Sequence, residues 1–310
     1  MAQDRKNRGR RQGRAAGVDI GRAAALIRDG GLVAFPTETV YGLGASALDA
    51  AAVARIFSAK GRPSNSPLIV HVDSLEMARS LAAPWPETAE RLAARFWPGP
   101  LTLVVPKHSS IPDVVTAGLP TVGLRMPAHP VALELIRAAG VPIAAPSANR
   151  FTELSPTAAE HVEKSLGGEV DWVLDGGPAT VGIESTVLSL ASAEPLLLRP
   201  GTIPLPEIEA VIGPVRVAGL PAAGGSHPSP GMHRRHYRPR TPLYLGHAPA
   251  EGRGTWLRIG SADAREFAAS LYDTLHRLDE QGFDWIAVEC PPETPEWAGV
   301  LDRLRRAARA

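Results

Sequence analysis

One cysteine, Cys290, occurs in 310 residues, so no disulfide framework can form within the chain, and a reducing, cytoplasmic setting is the simplest expectation. It ends the run Trp285-Ile286-Ala287-Val288-Glu289-Cys290, which reads as a buried strand carrying an inert core thiol. Aromatic residues make up 5% of the chain, too few to suggest base-stacking platforms. No apolar stretch approaches the roughly 18 residues of a membrane span, and no secretory signal core is present, so no membrane contact is expected. The Walker A phosphate loop and the Gly-x-Ser-x-Gly elbow are both missing, which excludes the P-loop and hydrolase signatures. A net charge of +1 names no partner. The basic residues are nevertheless uneven: Arg5, Lys6, Arg8, Arg10, Arg11 and Arg14 stand against Asp4 alone, and residues 1–17 read as a solvated, disordered tail, with a nucleic-acid-binding arm as the alternative. His227, His233 and His236 lack cysteine or carboxylate at fitting positions, so no protein metal site is expected.

What is present is an alternation of short apolar runs with helical stretches. Asp19 can cap a helix over residues 20–29, which Gly30-Gly31 stops, and the strand 32–35 follows. Further strands read at 68–72, 101–105, 122–126, 142–145, 172–174, 187–190 and 196–198. The last two are too close for a helical crossover, so the sheet is expected to be mixed. This gives an α/β domain over 18–201. Residues 202–241 are rich in Pro, Gly and Ala and read as a restricted linker, expected to act as a lid. Residues 242–310 read as a small βαβ, Rossmann-like unit: a strand at 256–259, a helix with Phe267, Leu271, Leu275 and Leu278 on one face, a strand at 284–289, and a last helix over about 295–307. So thin a core is expected to dock on the first domain.

Polar groups collect at strand ends, where open α/β folds place ligands. Lys60-Gly61-Arg62-Pro63 holds two cations on a turn that suits a triphosphate; a solvated helix end is the plain alternative. His71 closes the strand Leu68-Ile69-Val70-His71 and can be either a core or a site residue. Arg125, flanked by apolar strand residues, must find an anion if buried, and a substrate carboxylate would serve. Pro146-Ser147-Ala148-Asn149 and Glu184-Ser185-Thr186 offer small hydroxyl and amide groups at strand termini.

Taken together, Pro36-Thr37-Glu38-Thr39-Val40-Tyr41-Gly42-Leu43-Gly44, Lys60-Gly61-Arg62-Pro63, the segments 67–71, 121–127 and 146–149, Ser155-Pro156-Thr157, Glu184-Ser185-Thr186, Arg199-Pro200-Gly201 and the segment 229–239 resemble, in order, the threonylcarbamoyl-AMP synthase (YrdC-type) family in its long form. The resemblance implies a twisted mixed sheet with flanking helices around a basic concave site. It implies synthesis of threonylcarbamoyl-AMP and pyrophosphate from L-threonine, bicarbonate and ATP, a nucleotidyltransferase reaction. The product would serve a downstream threonylcarbamoyl-transferase complex that modifies adenosine 37 of tRNAs reading codons that begin with A. In that reading Thr37, His71, Arg125, Ala145 and Ser185 surround threonine. Arg62, Ser66, Thr121, Ser147, Ser155, Arg199 and Tyr237 hold ATP, and Lys60 and Arg62 are the electrostatic catalysts. Mg²⁺ would ride on the nucleotide phosphates. Three departures stand out: Ser66 replaces the usual Asn or His, Phe151-Thr152 stands where Ser-Gly is common, and the C-terminal unit is short. A second function class is an RNA-binding protein using the basic cleft without synthesis. A third is a relative handling carbamoyl phosphate, which would need acylphosphatase and zinc-finger segments that the chain lacks.

Overall fold

The computed structural model describes residues 18–219, 236–260 and 263–309; the basic tail, His227, His233 and residues 229–235 of the motif at 229–239 lie outside them. The Asp19 carboxylate accepts the Arg22 amide at 2.9 Å and opens the helix Ile20–Arg28. Asp49 caps the helix Ala50–Lys60 in the same way, and Gly61, at φ +63°, ends it in the left-handed region, with its N–H reaching back into the last turn. That stop makes Lys60 the last helical residue, and Lys60 shares the buried face with Ile56, one turn earlier.

Thirteen strands are described: β1 Val33–Phe35, β2 Gly42–Ser46, β3 Ile69–His71, β4 Leu101–Pro106, β5 Thr121–Arg125, β6 Ile143–Ala144, β7 Trp172–Val173, β8 Thr186–Ser189, β9 Leu196–Arg199, β10 Arg216–Val217, β11 Leu243–Leu245, β12 Gly254–Leu257 and β13 Trp285–Val288. The first ten form one sheet in the order β10-β9-β8-β4-β5-β3-β6-β2-β1-β7. It is mixed, as the short connection between β8 and β9 requires: β8 pairs antiparallel with β9 and parallel with β4. Register does the work of assembling the site. His71 lies opposite Arg125 across the parallel β3–β5 pair, and opposite Ile143 across β3–β6, so His71, Arg125 and the chain entering Ala145 converge at one sheet end.

Strand β2 was not legible as a strand, because two glycines in five residues read as a turn. Its register beside β1 explains Gly44: a Cβ there would lie 2.7 Å from both the Phe35 ring and Ile143, so the strand must be bare at that point. The proline-rich stretch after residue 202 contains a helix, Leu205–Ile212, and the edge strand β10. The C-terminal unit holds a parallel sheet β11-β13-β12, with the helix Ala264–Asp279 joining β12 to β13; β11 is additional to the elements read from sequence.

The second unit docks on the first. Val40, Leu154 and Ile183 share a core with Phe267, Leu271, Leu275, Ile286 and Leu301. Burying each of the large side chains contributes roughly 1.5–3 kcal/mol relative to exposure. Cys290 is a correction: it is exposed, not buried, because pairing of β13 with β12 ends at Val288↔Leu257 and Cys290 lies two residues past that point.

Candidate active site

Lys60 is buried, and its Nζ donates to the carbonyls of Ser147, at 2.5 Å, and of Asn149. Its direct partners are thus neutral oxygens, which tie the helix end to the Pro146-Ser147-Ala148-Asn149 turn. Burial first, and the Arg62 charge second, push its pKa well below the usual lysine value. Arg62, one residue past the helix cap, donates from Nη2 to Ser66 Oγ and the Pro67 carbonyl, while its buried Nε has no hydrogen-bond partner. Burial lowers it to about 10, with Arg199 adding repulsion. It stays charged at neutral pH. Two buried cations and a third close by, with few anions among them, make a site that an arriving polyanion stabilises.

A second group, of Thr37, His71 and Arg125, lines the same pocket. Thr37 Oγ1 donates to the Val40 carbonyl at 2.6 Å and receives the Thr39 and Val40 amides at 3.2 Å, closing the turn after β1. Arg125 donates from Nε to the Gly99 carbonyl at 3.3 Å, and its Nη2 lies 2.8 Å from Glu38 Oε1. That pair is close but off the hydrogen-bonding direction, and neither Glu38 oxygen makes a hydrogen bond. Beside them His71 is held near pKa 3 by burial first and by Arg125 second, so it stays neutral, and its Nδ1 has no partner. The Phe35 ring meets it edge-on at 5.8 Å. A guanidinium and a neutral imidazole side by side suit a carboxylate and a hydroxyl.

Glu184 and the start of β8 complete the pocket. Arg199 Nε and Nη2 donate to the Ser185 carbonyl at 3.1 and 2.9 Å, and Ser185 Oγ meets Thr102 Oγ1 at 2.8 Å. Glu184 takes Ser155 Oγ on Oε1, and on Oε2 it takes Arg303 Nε at 2.8 Å and Tyr272 Oη at 3.2 Å. Burial would raise its pKa, but Arg303 and then Arg199 outweigh that and hold it at about 2. Tyr237 is buried, sits in the left-handed region at φ +63°, and presents a hydroxyl with no partner. Strain at a non-glycine residue and an unsatisfied buried hydroxyl at one position mark a functional wall.

Of the residues singled out from sequence, Thr37, Arg62, His71, Arg125, Ala145, Ser147, Ser185, Arg199 and Tyr237 line one pocket. Lys60 lies beneath its Ser147 wall, Ser66 braces Arg62, and Ser155 braces Glu184. Thr121 lies apart, in a small hollow with Pro67 and Ile69, of which Ile69 also borders the pocket. Sequence reasoning gave no role to Glu38, Thr39, Glu184, His236 or Arg303. The last had a visible signal: Arg303 falls on the apolar face marked by Val300, Leu304 and Ala307, where an arginine requires a buried anion.

The family described as Telomere recombination (Sua5/YciO/YrdC) matches residues 25–201, and that described as Threonylcarbamoyl-AMP synthase, C-terminal domain, matches residues 203–309. A threonylcarbamoyl-AMP synthase of Pyrococcus abyssi is 46% identical over 317 residues, covering 92% of this chain and 93% of the relative. The chain belongs to the threonylcarbamoyl-AMP synthase family. The Bacillus subtilis synthase is 45% identical over 320 residues, covering 93% of this chain and 92% of the relative. The crystal structure of P. abyssi Sua5 complexed with L-threonine matches with a TM-score of 0.88 at 44% identity, covering 93% of this chain and 94% of that one. The expected enzyme family and the two-part α/β fold are thereby shown.

Within this threonylcarbamoyl-AMP synthase fold Phe151-Thr152, which stands where the resemblance implied Ser-Gly, carries visible strain. Thr152 adopts φ +74°, a conformation that glycine reaches without strain. Thr152→Gly should therefore raise the unfolding free energy by about 1 kcal/mol in urea titrations; an unchanged or lower midpoint contradicts that reading. As for a metal, Glu184 is the one carboxylate among the described residues lining the pocket, and it is already engaged by Arg303, Tyr272 and Ser155. These residues do not form a cage for Mg²⁺. Among the described residues, no helix is long and apolar enough to cross a membrane.

Proposed function

We propose that this chain condenses L-threonine, bicarbonate or its CO2, and MgATP into L-threonylcarbamoyl-AMP with release of pyrophosphate. The observation that carries the reading is the bipartite pocket. Within it we assign Thr37, His71, Arg125, Ala145 and Ser185 to one end and Arg62, Ser147, Arg199 and Tyr237 to the other, with Lys60 buried beneath Ser147. Threonine is assigned to the first end, with Arg125 on its carboxylate; a relative crystallised with L-threonine supports the choice. The triphosphate is assigned to the second end.

The threonine amine adds to CO2 and loses a proton, giving a carbamate. A carbamate oxygen then attacks the α-phosphorus, the bond to the β-phosphate oxygen breaks, and pyrophosphate leaves with the electron pair. Arg62 and Lys60 stabilise the charge that grows on the leaving group. No protein nucleophile is needed, so positioning and electrostatics supply the acceleration. The product is a mixed anhydride, to be consumed by a threonylcarbamoyl transferase that acts on tRNA, in the reducing cytoplasm. A basic groove for an RNA backbone is disfavoured, because Arg62, Arg125 and Arg199 are nearly inaccessible where a polymer would have to run.

Incubating the purified chain with ATP, Mg²⁺, bicarbonate and L-threonine should give threonylcarbamoyl-AMP by mass, with none when threonine is omitted. Its absence from the complete mixture, in folded protein, overturns the reading.

A further inference from the structure

The C-terminal unit reaches the pocket-lining Glu184 through two side chains, the Tyr272 hydroxyl, which donates to Oε2 at 3.2 Å, and Arg303, of which Arg303 alone is charged. Arg303, buried in the helix Ala298–Ala307, donates from Nε to Glu184 Oε2 at 2.8 Å, from Nη2 to the Glu184 carbonyl at 3.0 Å, and from Nη1 to the Pro200 carbonyl at 2.6 Å. Its guanidinium lies 5.4 Å from the centre of the Tyr237 ring. The approach depends on bare backbone: a Cβ on Gly299 would come 2.5 Å from the Gly201 carbonyl oxygen, so the helix rests directly on the turn that follows Arg199. Arg303 does not itself line the pocket, whereas Glu184 and Arg199 do.

Glu184 therefore stands between two cations. Both Arg303 and Arg199 lower its pKa, Arg303 more strongly, and Arg199 is anchored on Ser185, the very next residue. A carboxylate so deeply buried cannot remain uncompensated. If Arg303 were removed, the neighbouring cation for Glu184 to turn to is Arg199.

We infer that Arg303 is a positioning residue for the polyphosphate end of the pocket, holding the Glu184 carboxylate away from Arg199 so that the Arg199 guanidinium faces the bound anion. The second unit thereby completes the charge pattern of a site built otherwise by the first. The inference rests on reading that end as a polyphosphate site.

Inorganic tripolyphosphate titrated by calorimetry tests it in full-length protein, with thermal melting of each variant alongside. Arg303→Met should weaken binding about tenfold, the size of one lost charge contact, and Glu184→Gln added to Arg303→Met should restore it to within about threefold of wild type. A purely structural role for Arg303 predicts no such rescue, because the double variant still lacks the bonds to the Pro200 and Glu184 carbonyls. The inference is overturned if Arg303→Met binds like wild type, if the double variant stays as weak as the single one, or if the wild type does not take tripolyphosphate. Should Arg303→Met fail to fold, Arg303→Lys carries the comparison: binding weaker than in the double variant supports the inference, and binding equal or tighter overturns it. Failure of the synthase reading is separate, since it appears as missing threonylcarbamoyl-AMP in a chain that still binds tripolyphosphate.

Discussion

Replacing Lys60 or Arg62 by alanine should reduce threonine- and bicarbonate-dependent pyrophosphate release by about a thousandfold or more, the larger end of what one lost electrostatic contact in a preorganised site costs. The two act differently. Arg62 is a charged wall residue whose Nε has no hydrogen-bond partner, so it has a donor to offer an anionic oxygen. Lys60 is bonded to the Ser147 and Asn149 carbonyls, and in this state its ammonium is disfavoured by burial and by Arg62. On the proposed function, a bound triphosphate would reverse that balance by supplying negative charge, so that binding energy would strengthen the cation at Lys60. Circular dichroism should show both variants folded. Wild-type release of pyrophosphate by the double variant would rule out the catalytic assignment.

Arg125→Met should raise the KM for threonine by about a hundredfold or more while leaving affinity for an ATP analogue within about twofold, because a charge-assisted contact to a carboxylate is lost at one end of the pocket only. The same change leaves the Glu38 carboxylate buried without its cation, 2.8 Å from where Nη2 had been. Removing one partner of a buried pair costs about 3–5 kcal/mol, so Arg125→Met should also unfold at markedly lower urea. Adding Glu38→Gln should recover much of that stability without recovering threonine binding. Initial-rate kinetics against threonine, together with urea titration, separate the two effects. Recovery of both together would mean that Arg125 serves the fold and not the substrate.

The two predictions probe one pocket whose residues come from strand and helix termini far apart in the chain. Most of those termini were legible beforehand. Apolar runs of three to five residues read directly as β3, β4, β5, β8 and β9, and a Gly-Arg-Pro stop after a helical run places Lys60 and Arg62 at a helix end. Motifs in the family's order assign those ends to one site. Strand β2 escaped because its glycines are required by neighbours, Phe35 and Ile143, that only the folded register supplies. The helix Leu205–Ile212 escaped because a flanking proline-rich composition masked one short amphipathic segment.

The sequence by itself determined the mixed α/β class and most strand ends, because these rest on local periodicity and turn chemistry, while the family and most of the pocket-lining cations came through motifs whose order resembles that family's. Only the tertiary structure decided which charges are partners. Glu38 and Arg125 meet across 87 positions of chain, and Glu184 and Arg303 across 119. Such pairs leave no periodic trace: a buried charge takes its partner from whatever the fold sets beside it, and Coulomb energy depends on distance in space, not along the chain. Tertiary structure likewise put Cys290 outside the core and Thr152 in a glycine's conformation, because strand pairing and loop closure fix both after the local preferences of those residues have been overruled.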